Sequence, residues 1–148
     1  MDGIDAPEKS MPFGKRAKQF LDSLCQEQTI TIDSTNRETF RRFISFSYLP
    51  DGRELGKEML KAGLAWHFKK YNSDPELAAL EASARKARIG LWVDQPYVLP
   101  PWIVRKLNRQ GYKIQSIYKA QREHLKGMHS AGCPDVHLCE AIKAGDAL

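Results

Sequence analysis

Only two short stretches of this 148-residue chain alternate with the two-residue period of a strand, and two strands do not make a sheet that stands alone. Thr29–Ile32 alternates Thr and Ile. In Arg42–Tyr48, one face carries Arg42, Ile44, Phe46 and Tyr48, and the other carries Phe43, Ser45 and Ser47. Pro50-Asp51-Gly52 then predicts a turn. The other patterned segments are helical. Phe13, Ala17, Phe20, Leu21 and Leu24 form one apolar face of a helix, with Ser10 and Pro12 placed as its cap and early proline. A second helix is expected over Glu54–Lys61, closed near Gly63. A third is expected over Asp74–Arg88. Ser73 and Glu76 stand at capping-box spacing at its start, Pro75 is near its first position, and Gly90 ends it. The class is α+β, and the sheet needs further strands to complete it.

With 42% apolar and 28% charged residues, the chain has globular rather than disordered composition. It lacks the run of about 18 apolar residues that a membrane span requires. Met1–Ser10 is acidic and polar and does not read as an export signal. The net charge of +5 suits a polyanionic partner without demanding one. Three cysteines, Cys25, Cys133 and Cys139, are an odd count that argues against a disulfide framework, with Cys133 and Cys139 the candidate pair. The composition changes around Pro96–Trp102, and the chain divides into residues 1–106 and a basic, partly helical extension over 107–148. Within the extension, Gln115–Lys126 is expected to be a helix.

Gly3-Ile4-Asp5-Ala6-Pro7-Glu8 sets two carboxylates three residues apart around a proline that restrains the backbone. Carboxylates beside a free carbonyl suit a hard divalent cation, and a second carboxylate nearby can orient or deprotonate water. The same chemistry-poor pattern also occurs in solvated turns, so the wider context decides. That context is GIDAPE at Gly3–Glu8, PFGKRAKQFL at Pro12–Leu21, YLPDGRELGKEMLKAGLAW at Tyr48–Trp66, EASARKARIGLW at Glu81–Trp92 and PPW at Pro100–Trp102. In this order and spacing the chain resembles the staphylococcal nuclease-like, or thermonuclease, family from Met1 to about Trp102.

The resemblance implies a partial OB-fold β-barrel with three packed helices and a C-terminal extension. It implies a Ca²⁺-dependent nuclease that hydrolyses phosphodiester bonds of single-stranded DNA or RNA, acting as a monomer on nucleic acid. Residue by residue, Asp5 matches a Ca²⁺-ligand aspartate and Ala6 a backbone-carbonyl ligand. Glu8 matches the glutamate that positions or deprotonates water. Arg42, by its spacing back from Leu49-Pro50-Asp51-Gly52, matches the arginine that stabilises the transition state. Lys69, Lys70 and Tyr71 fall where the family holds nucleotide, in a basic, aromatic segment suited to phosphate and a stacked base. Trp66 and Trp92 are expected in the core.

Three features depart from the family pattern. An upstream arginine and an upstream ligand aspartate would both precede Met1, together with most of the first three strands. The family's D-R-Y-G-R loop is here Glu38-Thr39-Phe40-Arg41-Arg42. Arg37 and Arg41 are expected to be exposed cations of this same loop. Two expectations follow: the natural chain begins further upstream, or this is a remnant. A remnant would be a catalytically inactive module that binds nucleic acid or protein, or a chain left with open strand edges that favour aggregation. Members of the family are often exported, and the sequence itself gives no localisation. His129, Cys133, His137 and Cys139 offer four metal-ligand types within eleven residues, at a spacing that matches no zinc finger.

Overall fold

A computed structural model of the chain describes residues 2–39, 42–94 and 98–125, with 35–39, 42–43 and 124–125 described by backbone alone. It divides into two compact units, Met1–Val93 and Asp94–Leu148. The boundary expected at residue 106 falls inside a helix.

The first unit runs β1 (Ile4–Asp5), α1 (Gly14–Cys25), β2 (Thr31–Thr39), β3 (Arg42–Tyr48), α2 (Leu55–Lys61), β4 (Trp66–His67) and α3 (Pro75–Lys86). A 3₁₀ turn follows at Gly90–Asp94. The strands form two antiparallel pairs, β1 with β4 and β2 with β3. The class is therefore α+β as expected, but the described residues show two small sheets and no closed barrel.

β3 lies where its alternation places it. β2 starts two residues later than expected and continues through Asp33–Thr39, beyond the expected end at Ile32. Its ladder begins at Thr31↔Tyr48 and runs in step to Ser34↔Ser45. It then shifts, resuming at Glu38↔Phe43 and Thr39↔Arg42. An irregularity of this kind bends the strand and destroys the period-two signal. Glu38 and Arg42 consequently belong to the two arms of a hairpin rather than to one loop, and Arg37 stands within β2. The regular part of β2 is open to solvent, and Ile32 is 67% exposed. The apolar core of this unit lies elsewhere.

That core joins α1, α2 and α3. Ala17, Met59, Leu60, Leu64, Ala65 and Leu77 are buried together, with Ile4, Ala6, Phe13, Phe20, Leu21 and Leu80 packed against them. A buried leucine at such a site is worth about 2–5 kcal/mol against alanine. Trp66 and Trp92 are both buried, as expected, and meet edge to face at 5.2 Å between centroids. The Arg85 guanidinium covers the Trp92 ring at 4.1 Å.

The helix ends differ from expectation in detail. Neither Ser10 nor any other side chain caps α1; Phe13 occupies the N-cap with φ +63°. Asp74, not Ser73, caps α3: its Oδ1 accepts the Glu76 amide at 2.8 Å, and Pro75 takes the first turn. Gly63, after α2, has φ +64° as its position requires. It meets Gly90 directly. The Leu91 amide donates to the Gly63 carbonyl at 2.8 Å, and a Cβ on Gly90 would come 2.2 Å from that same oxygen.

The second unit holds α4 (Pro101–Arg109) and α5 (Ile114–Leu125). α5 matches the expected helix. α4 is not among the helices expected from the sequence, where Pro96–Trp102 marks only a change of composition. Pro101 sits in the first turn, where its missing N–H leaves no bond unmade. Leu99, Ile103, Val104, Leu107, Ile117 and Ala120 are buried. No helix among the described residues is long and apolar enough to cross a membrane. His129, Cys133, His137 and Cys139 lie outside the described residues.

Candidate active site

The site is built around β1. Ile4 pairs with His67 and Asp5 with Trp66, and the Phe68 amide donates to the Gly3 carbonyl at 2.8 Å. The Asp2 amide donates to the Ser45 carbonyl at 3.0 Å, which ties the start of this segment to β3. Ile4 packs on the core, so the alternation of the strand turns Asp5 to the opposite side. Asp5 is half-buried there.

Gly3 makes the approach possible. It has φ +69°, and a Cβ there would come 2.6 Å from Asn72 Nδ2 and 2.8 Å from Leu77 Cδ1. Asn72 is itself a junction. Its carbonyl is 2.8 Å from His67 Nε2, its Oδ1 accepts the Asp74 amide at 2.8 Å, and its Nδ2 reaches Asp2 Oδ2 at 3.4 Å. These contacts hold the segment after β4 against the segment before β1.

Beyond Asp5 the chain turns sharply. Pro7 is buried and Glu8 is exposed. The Glu8 carbonyl accepts the Met11 amide at 2.8 Å, and the Met11 carbonyl accepts the Gly14 amide at 3.0 Å. Gly14 packs so closely that a Cβ would stand 1.8 Å from the Glu8 carbonyl oxygen. The buried first turn of α1 therefore positions the backbone of Glu8, while its side chain emerges at the surface.

Arg42 opens β3, where its backbone pairs with Thr39. It stands three residues from Ser45, the residue that contacts the start of the β1 segment. The structure thus draws β1, β3 and β4 into one neighbourhood by backbone hydrogen bonds.

Lys69, Lys70 and Tyr71 follow β4 after the intervening Phe68 and are all exposed. Tyr71 is 68% exposed, with Phe68 edge-on at 4.9 Å and the Lys70 ammonium 5.8 Å from its ring centre. Lys69 Nζ lies 3.8 Å from the buried Glu81 carboxylate. Glu81 also accepts the His67 amide at 3.2 Å and faces Arg85 at 3.4 Å.

Among the described residues, no group of three or more His, Cys, Asp and Glu side chains is arranged to hold a metal ion. The donors that the motif provides are the Asp5 carboxylate and the Ala6 carbonyl. Both are hard oxygens, a set that suits a cation keeping most of its shell as water or substrate oxygen.

Residues 1–94 match the family model for staphylococcal nuclease homologues. The chain belongs to that family. Relatives include an uncharacterized endonuclease of Escherichia coli O157:H7, 39% identical over 102 residues, which are 69% of this chain and 66% of the relative. They also include a probable staphylococcal-like nuclease, CAN1, of Oryza sativa subsp. japonica, 38% identical over 110 residues, 74% of this chain and 32% of the relative. The staphylococcal-like nuclease CAN1 of Arabidopsis thaliana is 35% identical over 111 residues, 75% of this chain and 34% of the relative. The chain thus spans slightly under two thirds of the bacterial relative and about a third of the plant ones. Against this family background, sequence reasoning missed the positioning roles of Gly3, Gly14 and Asn72. The two glycines flanking Asp5 and Glu8 were the available signal.

Proposed function

We propose that this member of the staphylococcal nuclease family is a divalent-metal-dependent phosphodiesterase acting on single-stranded DNA or RNA, with its site on the OB-type barrel element of that family. The observation that carries the reading is the placement of the Gly3–Glu8 motif. Asp5 is fixed in register beside β4, and Glu8 follows on a turn clamped by α1.

Asp5 and the Ala6 carbonyl would hold Ca²⁺, which supplies charge neutralisation at the phosphate oxygens. Glu8, exposed on its rigid turn, takes the proton of the attacking water or orients that water toward phosphorus. Arg42 is assigned the stabilisation of the charge that grows on the equatorial oxygens as the bond to the leaving oxygen lengthens, a role a guanidinium suits. Lys69 and Lys70 neutralise flanking phosphates, and Tyr71 offers a ring face to an unpaired base. A stacked, splayed base favours single strands over closed duplex.

The test is cleavage of a fluorescent single-stranded oligonucleotide with Ca²⁺ and with chelator, beside Glu8→Gln and Arg42→Ala. Metal-dependent cleavage should fall about 10²–10⁴-fold with Glu8→Gln. It should fall roughly 10²–10³-fold with Arg42→Ala, by analogy with lost oxyanion donors. Binding without cleavage by the folded wild-type chain would replace this reading with that of a non-catalytic nucleic-acid-binding module.

A further inference from the structure

The charge of this chain is not spread evenly. Met1–Val93 contains fifteen Lys and Arg against thirteen Asp and Glu. Many of its cations are engaged: Arg53 with Asp51 and Glu58, Lys57 with Glu76, Lys61 with Glu58, and Arg85 with Glu81. Within the second unit, the stretch 98–125 contains six Lys and Arg and a single acid, Glu123. Its net charge equals that of the whole chain.

The helical hairpin displays these cations. Lys106 and Arg109 stand three residues apart on α4, and Lys119 and Arg122 three apart on α5, so each pair shares a helix face. Lys113 precedes α5 at the turn formed by Gly111, whose φ is +95°. Lys106, Arg109, Lys113, Lys119 and Arg122 are all exposed. Among the described residues only Lys119 of these five pairs with a carboxylate, Glu123, and at the long distance of 3.9 Å. Exposed Asn108, Gln110, Gln115 and Ser116 add amide and hydroxyl donors between them.

The apolar residues of the hairpin identify the kind of polyanion. Ile103, Val104 and Leu107 of α4 and Ile117 and Ala120 of α5 are buried. None of the large apolar side chains exposed in the described residues belongs to the hairpin. A membrane-surface helix needs an apolar face to sink into lipid, and here that face is already used. Trp102, Tyr112 and Tyr118 are each half-buried, so no ring is offered for stacking on a base. What remains for a partner is a set of exposed cations and amide donors, the chemistry that contacts phosphates and leaves bases unread.

We infer that the α4–α5 hairpin is a second nucleic-acid surface, gripping the phosphate backbone without regard to sequence through Lys106, Arg109, Lys113 and Arg122. It lies outside the residues matched by the family model. It does not depend on hydrolysis, so it stands or falls separately from the proposed catalysis.

The test is fluorescence anisotropy of the full chain with a labelled single-stranded oligonucleotide, in chelator, across a salt series. The variant is Lys106→Gln, Arg109→Gln, Lys113→Gln and Arg122→Gln combined. A control with the same charge change elsewhere carries Lys15→Gln, Arg16→Gln, Lys61→Gln and Lys86→Gln. Each lost phosphate contact should reduce the slope of log affinity against log salt by ~0.7, so the hairpin variant should lose up to ~2.8. That corresponds to a loss of up to about 50-fold in the salt dependence between ~50 and ~200 mM. The control should stay within about twofold of wild type. Two double variants, Lys106→Gln with Arg109→Gln and Lys113→Gln with Arg122→Gln, should each remove part of the slope and give the answer if the fourfold variant does not fold. An unchanged slope in the hairpin variants overturns the inference. So does an equal loss in the control, which would mean net charge alone. Loss of binding to phosphatidylserine vesicles with oligonucleotide binding intact would reassign the surface to lipid and overturn it too.

Discussion

Gly14 fits against Glu8 so closely that a single added methyl would stand 1.8 Å from the Glu8 carbonyl oxygen. The atoms that such a methyl would meet are backbone, not a flexible side chain, so the methyl can be housed only by moving the turn. Gly14→Ala should therefore displace the residue proposed to handle water, while leaving Asp5 in its ladder with β4. The expected result is a fall of at least about tenfold in kcat, since a shift of about 1 Å at a reacting group can cost 10²-fold. Overpacking of this kind should also cost about 1–3 kcal/mol of stability. Cleavage kinetics and a thermal melt on the same preparation check both. Unchanged kcat with a lowered melting temperature would make Gly14 structural only.

Tyr71 is the most exposed large ring in the described residues, and it stands in the segment that follows β4, in edge contact with Phe68. If a base stacks on it, Tyr71→Ala should weaken oligonucleotide binding by about 1–3 kcal/mol, or roughly 5–150-fold. Tyr71→Trp should retain the affinity, because a larger ring keeps the stacking face. The loss should appear in KM rather than kcat, since the ring touches a base and not the scissile phosphate. Titration of oligonucleotide into each variant, together with steady-state cleavage, separates the two parameters. Equal affinity in Tyr71→Ala would remove this residue from the substrate surface.

What could be read in the sequence depended on length and locality. α1, α2, α3 and α5 showed because each keeps a helical apolar period or clear end signals over seven to twelve residues. β3 showed because its alternation runs unbroken from Arg42 to Tyr48. β1 and β4 have two residues each, too few to reveal any period, and they exist through pairing with each other. The far half of β2 was hidden by the register shift between Ser34 and Glu38. Asp5, Glu8 and Arg42 drew notice through motif and spacing. Gly3, Gly14 and Asn72 did not, because their roles arise from contacts made across the fold. Gly3 meets Asn72 and Leu77, and only folding brings those residues to it.

The turn after β3 should report on acid. The Asp51 carboxylate accepts the Arg53 amide at 3.0 Å and its guanidinium at 2.8 Å. The amide bond foremost, then the guanidinium, hold its pKa below the ordinary 3.8. A carboxyl whose folded pKa is depressed contributes stability that is present above the unfolded value and is lost as pH falls through the folded one. This contribution should thus be intact at neutral pH and disappear below about pH 3.8. Glu54 acts in the opposite sense, because burial raises its pKa above 4.5. Its contribution favours the fold below the unfolded pKa and is lost as pH rises through the folded one. Asp51→Asn should accordingly flatten the acid limb of a stability-against-pH curve below that range, whereas Glu54→Gln should remove a loss that begins above it. Chemical denaturation at a series of pH values reads both slopes. Parallel curves for wild type and Asp51→Asn would rule out the Asp51 contribution.

Glu81 separates hydrogen bonding from charge. It is 4% exposed, and its Oε1 accepts the His67 amide at 3.2 Å while facing Arg85 at 3.4 Å. Lys69 approaches its other oxygen at 3.8 Å, but Lys69 is largely exposed and that pair should add little. The amide bond is the one that anchors β4, and with it the register that places Asp5. Glu81→Ala leaves a buried backbone donor unpaired, at about 1–3 kcal/mol. A loss of that size should lower the melting temperature by roughly 4–8 °C per kcal/mol in a unit of this size. Glu81→Gln retains a carbonyl for the His67 amide and removes only the charge. It should keep most of the stability, with amide exchange at His67 close to wild type and markedly faster in Glu81→Ala. If Glu81→Gln destabilises as much as Glu81→Ala, charge on Arg85 and Lys69 holds β4, and the hydrogen bond to His67 does not.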